Sequence, residues 1–332
     1  MLKCNYVTVL VTNECNMNCR ECYVEQSKGL LEISVFEKYI LNELIEMDVN
    51  YVAFSGGEPL LHPEIISFIK LSSEAGLKTS LVTNGLLLTE DKAIELKQAG
   101  LKKIQLSLDS NDQEINDMIR QYGCFDAVVN RAIPAALKAG LQVSLVAVPN
   151  DSIISNPKEY LDFAKGLGVH SVYFRRKINA NSIYENCDKE KYFDFLVQLH
   201  RLRGNYKITI SSGDPLYCLA DCVENNKNTE RVFSGCGAGV TSLDIQTNGC
   251  IYPCTRLPIK LGDVKNNKLS SVWENNEILM SLRMRKFDGK CGKCSYLYVC
   301  GGCRAACYTQ YKKYDGRNTQ YFFKNSLHSV PP

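Results

Sequence analysis

Apolar positions in the first two thirds of the chain follow two alternating rhythms. Short runs rich in β-branched residues predict strands at Tyr6–Val11, Tyr51–Ser55, Thr79–Val82, Lys103–Ser107, Gln142–Ala147, Ser171–Phe174 and Lys207–Ile210. Between them, longer stretches with helical spacing predict helices near 35–48, 63–75, 90–99, 126–139, 157–167 and 189–203. In the first of these, Phe36, Ile40, Leu44 and Met47 share one face behind Ser34, the expected N-cap. Gly76, Gly100, Gly140 and Gly168 each follow an apolar-periodic segment, where a helix commonly ends. Six successive βα units imply a parallel sheet that curls. The expected fold class is therefore α/β, a partial (β/α)6 TIM-like barrel with functional loops at the carboxyl ends of its strands.

From about Gly213 the rhythm breaks into sequence rich in Cys, Gly, Asn and Pro. Two domains are expected: residues 1–213 as the barrel, and residues 214–332 as a cysteine-rich unit folded around metal rather than around a large apolar core. A length of 332 residues with 45% hydrophobic content accommodates both. The formal net charge is only +3 and no basic block stands out, so nucleic acid is not an expected partner. Met1 to Thr12 lack a signal-peptide pattern, and no apolar stretch is long enough for a membrane span, which makes the cytoplasm the expected compartment. Sixteen cysteines in a reducing compartment point to metal rather than disulfides. Three lie within residues 15–22 and ten between 218 and 307, so two metal-binding regions are expected.

The first cysteine group, Cys15-Asn-Met-Asn-Cys19-Arg-Glu-Cys22, directly follows the first predicted strand. Three thiolates on one loop can bind three irons of a [4Fe–4S] cube and leave the fourth open to a non-protein ligand. The alternative is a structural zinc or cluster site with a fourth ligand from elsewhere. Gly56-Gly57-Glu58-Pro59 follows the second strand; its glycines let backbone approach a ligand, and Glu58 can accept from an ammonium group. In the C-terminal region come Cys236, Gly249-Cys250-Ile-Tyr-Pro-Cys254, and then Cys291, Cys294, Cys300, Cys303 and Cys307. Seven or eight thiols exceed what one zinc needs and match two cubane clusters.

Taken in order, the cysteine loop, the Gly-Gly-Glu-Pro turn, Thr83-Asn84-Gly85 and Ser107-Leu108-Asp109 resemble the radical S-adenosylmethionine (SAM) superfamily over essentially the whole chain. The resemblance implies that SAM chelates the open iron through its amino and carboxylate groups. One electron then cleaves it to methionine and a 5′-deoxyadenosyl radical, which abstracts a substrate hydrogen. It further implies cofactor binding by Gly56, Gly57, Glu58, Asn84, Ser107 and Asp109, with Glu58 at the methionine ammonium and Ser107 and Asp109 near the ribose or carboxylate. Asn150 and Arg175 sit where related enzymes touch cofactor or substrate; a polar loop residue and a solvated charge are the alternatives. The family usually has an aromatic residue or His before the third cysteine, whereas this chain has Glu21, with Tyr23 just after.

The later cysteines resemble the SPASM extension, which implies two auxiliary [4Fe–4S] clusters held by Cys236, Cys254, Cys291, Cys294, Cys300, Cys303 and Cys307, with Cys250 as an additional candidate. Two residues rather than three separate Cys300 from Cys303, and no cysteine follows Cys307. Residues 291–306 also look like enzymes that trim side chains of haem precursors. Cys218 and Cys222, at the junction, are candidate hydrogen-atom donors; cluster ligation and plain buried thiols are the alternatives. Cys4, Cys124 and Cys187 stand alone and read as ordinary cysteines.

The expected function is hydrogen abstraction from a ribosomally made peptide, leading to a crosslink, thioether or epimerised residue. A tetrapyrrole side-chain decarboxylase is the alternative. Sulfatase maturation ranks lower because Thr255, not Asp, follows Cys254. A non-catalytic electron carrier would leave the Gly-Gly-Glu turn without purpose. Expected partners are an electron donor such as flavodoxin or ferredoxin and, because the core begins within ten residues of Met1, a separate peptide-recognition protein or the barrel itself. An oxygen-sensitive cluster also implies an anaerobic setting.

Overall fold

The β-branched runs become strands lying side by side in chain order. The computed structural model describes residues 2–20, 22, 24, 27–178, 188–225 and 235–316. β1 (Tyr6–Thr12), β2 (Tyr51–Gly56), β3 (Lys78–Thr83), β4 (Lys103–Ser107), β5 (Gln142–Ala147), β6 (Ser171–Phe174) and β7 (Thr209–Ser212) pair in sequence, every pair parallel. Alternation along a strand gives the sheet two unlike faces. Val7, Val9, Val52, Phe54, Leu81, Ile104, Leu106, Val143, Leu145, Val172 and Phe174 are fully buried in the apolar core. The intervening positions form a polar wall, in which Gln105 Nε2 donates to Ser80 Oγ at 2.9 Å and Ser171 Oγ to Ser144 Oγ at 2.8 Å.

Helices cover the apolar face. Residues 33–46 form one continuous helix with a π-helical middle, Phe36–Leu41, and Phe36, Ile40 and Leu44 are fully buried while Met47 is half-buried. Ser34 lies inside the first turn rather than capping it; Glu32 holds the N-cap position, and Ser34 Oγ donates to its carboxylate. Phe36, Phe54 and Phe68 meet with ring centroids 4.9 to 5.8 Å apart, pinning this helix and Ile65–Glu74 to β2. Two short helices, Gln113–Ile119 and Asp151–Ser155, arise in segments without a predicted element, and β7 sits two residues beyond its predicted start. Glu21, Tyr23 and Cys187 lie outside the described residues.

Past residue 213 the sheet continues. β8 (Ser242–Ile245) pairs in parallel with the free edge of β1, and β9 (Cys250–Tyr252) and β10 (Gly262–Asp263) follow antiparallel. The order is β10-β9-β8-β1-β2-β3-β4-β5-β6-β7. The expectation of a region without a large apolar core needs correction. Leu243, Ile245, Ile251, Leu269, Val272, Trp273, Leu279 and Leu282 join the barrel's own hydrophobic cluster, because β8 and helices Leu269–Asn275 and Glu277–Arg283 turn apolar faces inward. Trp273 Nε1 donates to Leu2 O at 3.0 Å, and Ser270 donates twice to Glu43 Oε2. Among the described residues no helix is long and apolar enough to cross a membrane.

Phe68→Ala removes the ring that joins two helices to β2, and is expected to cost about 3–5 kcal/mol, read as a lowered midpoint in denaturant unfolding of the cluster-free chain.

Candidate active site and cluster-binding cysteines

The carboxyl ends of β1 to β6 open into one cavity. Cys15, Cys19, Cys22, Gly56, Gly57, Asn84, Ser107, Asp109 and Arg175 all line it, so residues far apart in sequence converge as the βα pattern requires. The cysteine loop is tied down by its neighbours. Gly57 N donates to Thr12 O at 2.7 Å and Glu58 N to Glu14 O at 2.8 Å, and a Cβ added at Gly57 would sit 2.1 Å from Glu14 O. Asn84 Nδ2 donates to Asn16 Oδ1 at 2.8 Å and lies 3.9 Å from Cys15 Sγ, a polar contact suited to a thiolate. Burial pushes the Cys15 and Cys19 thiols up, the direction that a bound metal reverses.

Glu58 occupies a different position from the one the resemblance implied. It is fully buried, and its carboxylate accepts from Thr83 Oγ1 at 2.6 Å, Asn84 N at 2.8 Å and Leu60 N at 3.0 Å. Desolvation raises its pKa, and these three bonds oppose the rise. The side chain thus braces the cavity floor from beneath. Asn150 is likewise engaged elsewhere: Nδ2 donates to Asp109 O at 2.8 Å, while Oδ1 caps helix Asp151–Ser155 by accepting from Ser152 N and Ile153 N.

Two lining arginines, Arg120 and Arg256, were not marked by the sequence. Arg120, at the end of helix Gln113–Ile119, places Nε 2.8 Å from Asp109 Oδ2, and its charge acts on Cys19. Asp109 Oδ1 meanwhile accepts from Val148 N at 2.7 Å. The only signal in the sequence was a lone basic residue eleven positions after Asp109, which no motif marked. Arg256, next but one after Cys254, also reaches this cavity and donates to Arg176 O. Below it, burial raises the Asp244 carboxyl to about 6, against donation from Thr255 and Thr8 and the charge of Arg175.

The C-terminal cysteines fall into two sets. Cys236, Cys254 and Cys303 line a second, much smaller cavity together with Arg285, Gly302 and Arg304. Cys294, Cys300 and Cys307 each lie close enough to Cys291 for their charges to interact. Cys250 lies apart from both, on the β9–β10 hairpin with Sγ 3.9 Å from Asp263 Oδ2. Neither Cys218 nor Cys222 lines the main cavity; both sit on helix Tyr217–Asn225, where Cys218 Sγ accepts from Gly235 N at 3.0 Å. Among the described residues no three Cys, His, Asp or Glu side chains are gathered tightly enough to hold a single metal ion.

Residues 9–164 match the radical SAM superfamily, and residues 236–304 match SPASM, an iron–sulfur cluster-binding domain. The chain belongs to the radical SAM superfamily. It is a radical SAM/SPASM enzyme that binds [4Fe–4S] clusters and SAM. AdoMet-dependent heme synthase of Methanosarcina barkeri is 26% identical to it over 90% of each chain. Mycofactocin maturase MftC of Mycobacterium tuberculosis is 28% identical over 89% of this chain and 77% of its own. The structure of Streptococcus suis SuiB bound to precursor peptide SuiA superimposes with a TM-score of 0.77 at 19% identity, covering 96% of this chain and 76% of that one. Native anSMEcpe with bound AdoMet does so at 0.69 and 19%, covering 93% and 95%. These structural likenesses establish the fold.

The main cavity fits the radical SAM cofactor pair. It offers three thiols on one wall, and the two glycines let backbone line the floor beside them. Cys15, Cys19 and Cys22 would hold the cluster, and Ser107, Asp109 and Arg120 would face SAM. Replacing all three cysteines by alanine in the anaerobically reconstituted enzyme is expected to remove about four irons per chain and abolish reductive SAM cleavage, leaving the other irons bound. Gly57→Ala drives a Cβ into Glu14 O and pushes the cysteine loop away from the glycine turn. The expected result is loss of the SAM-responsive EPR signal of that cluster, with the auxiliary irons retained in the iron assay.

Proposed function

We propose that the enzyme removes a hydrogen atom from a side chain of a ribosomally made peptide, committing it to a crosslink, thioether or epimerised centre. The observation that carries this reading is the placement of the main cavity. The three thiols and the two glycines meet at the carboxyl ends of the strands in a cavity open to solvent, which suits one side chain of a substrate whose bulk stays outside. Bound in this cavity, the cluster and SAM supply the 5′-deoxyadenosyl radical. The chain's own residues orient and shield: Gly56 and Gly57 line the floor, Asn84 and Arg120 stand beside Cys15 and Cys19, and Asp109 is fixed by Arg120 and Val148 N. The relative named as a mycofactocin maturase supports the same direction.

A second reading, processing of a haem-precursor side chain, is favoured by the Methanosarcina barkeri relative, which matches nine tenths of each chain. Arg175 and Arg256, neighbours on the cavity wall, bring guanidiniums suited to a carboxylate-bearing side chain. We further assign residues 1–213 to radical generation and 214–332 to two auxiliary clusters, with the cytoplasm as compartment, flavodoxin or ferredoxin as electron donor, and a separate protein for peptide recognition.

The test is an anaerobic reaction with SAM and reductant, given in parallel a short precursor peptide encoded beside the gene and a propionate-bearing tetrapyrrole. Loss of two hydrogens from the peptide, or uptake of one deuterium in D2O, with 5′-deoxyadenosine released, is the expected outcome by mass spectrometry. Turnover of the tetrapyrrole alone assigns the second reading.

A further inference from the structure

Arg304 follows Cys303 directly and opens helix Arg304–Tyr311, yet its side chain is only 5% exposed. Nη1 donates to Tyr314 O at 3.2 Å and to Gly316 O at 3.3 Å, and the guanidinium lies over the Phe287 ring at 4.3 Å. These contacts fix its plane but bring no negative charge. Among the described residues no carboxylate forms an ion pair with it, and the buried Nε has no hydrogen-bond partner. A guanidinium buried in this way is strongly unfavourable unless something nearby is anionic.

Thiols surround it instead. Nη2 donates to Cys291 Sγ at 3.5 Å, within the second cysteine set. Its charge acts on Cys307 of the same set, and on Cys236 of the other. It also lines the cavity with Cys236, Cys254 and Cys303. Arg304 therefore stands on the boundary between the two groups. A second buried arginine, Arg285, shares that cavity and acts on Cys236 and Cys300. Its backbone is left-handed, at φ 52°, an outlier for a bulky residue, and its guanidinium lies so close over Gly301 that a Cβ there would meet Nη1.

We propose that Arg304 is the shared counter-charge of two auxiliary clusters, one on Cys236, Cys254 and Cys303 and one on the Cys291 set, and that it holds both reduction potentials up. A thiolate-bound [4Fe–4S] cluster is anionic, and gains one further negative charge on accepting an electron. A fixed cation at hydrogen-bond range favours the reduced form, so the potential rises with it. One cation between two clusters therefore shifts both potentials in the same direction, each by an amount set by its distance. This inference concerns the auxiliary centres alone and stands whichever substrate the enzyme takes.

The experiment is a potentiometric titration of the reconstituted enzyme, followed by EPR, with Arg304→Gln and Arg304→Lys beside the native protein. Arg304→Gln is expected to lower both auxiliary midpoints by at least a tenfold change in equilibrium constant, 59 mV for one electron, with the cluster on Cys15, Cys19 and Cys22 unmoved. Arg304→Lys, which keeps the charge, is expected to shift them less. Iron-loaded Arg304→Gln enzyme with native auxiliary midpoints would overturn the proposal, and a shift in one auxiliary cluster alone would overturn the shared placement. If Arg304→Gln fails to hold auxiliary iron while Arg304→Lys holds it, the counter-charge role is supported. Equal iron loss in both variants would mark the residue as packing only and end the proposal.

Discussion

The carboxylate of Glu58 is the tie on which the active-site floor depends. It lies beneath the cavity with no exposure, and each of its bonds closes onto a loop that would otherwise be free. Through Thr83 and Asn84 it fixes the end of β3; through its own amide on Glu14 O it fixes the cysteine loop after β1. A buried acid is tolerated only where its acceptors are filled, and here three donors fill them. Because Asn84 also bonds Asn16 and approaches Cys15, the tie passes from a hidden carboxylate to the first thiol without a gap.

The two cysteine regions are parts of one sheet rather than beads on a string. β8 extends the parallel array from β1, and Cys254 and Arg256 follow β9 in a loop that reaches both cavities. Radical chemistry and auxiliary clusters are thus fixed relative to each other by backbone pairing and by a shared apolar core. The polar wall inside the barrel carries this continuity inward, since Thr8 of β1 stands opposite Asp244 of β8 and donates to it.

β1 to β6 were legible because each is a short β-branched run bounded by helix and turn signals, and because parallel neighbours here are also sequence neighbours. The β1–β8 pairing was not, since nothing in residues 242–245 announces a partner more than two hundred positions earlier. At the site, Cys15, Gly56, Asn84 and Asp109 were found by their place after strands. Glu58 was found, but its direction was not: pattern identifies an acid near a turn and cannot say which way its side chain faces. Arg120 was missed because a single arginine at a helix end looks like any solvated cation until Asp109 appears beside it. The division of the C-terminal thiols into two sets falls within the turn through Gly301 and Gly302, both left-handed: Cys303 after it lines the second cavity, while Cys300 before it lies near Cys291.

The placement of β1 between β2 and β8 has a consequence for how the chain is made. A nascent chain completes β1 and β2 early, but the other edge of β1 stays unpaired until residue 245 has left the ribosome, on the order of ten seconds later. During that interval an apolar strand, with three cysteines following its end, offers open backbone groups to any neighbour. Topology of this kind also folds slowly, because the closing contact is so distant in sequence. Biogenesis therefore has a window in which the strand that carries the cysteine loop is paired along one edge only.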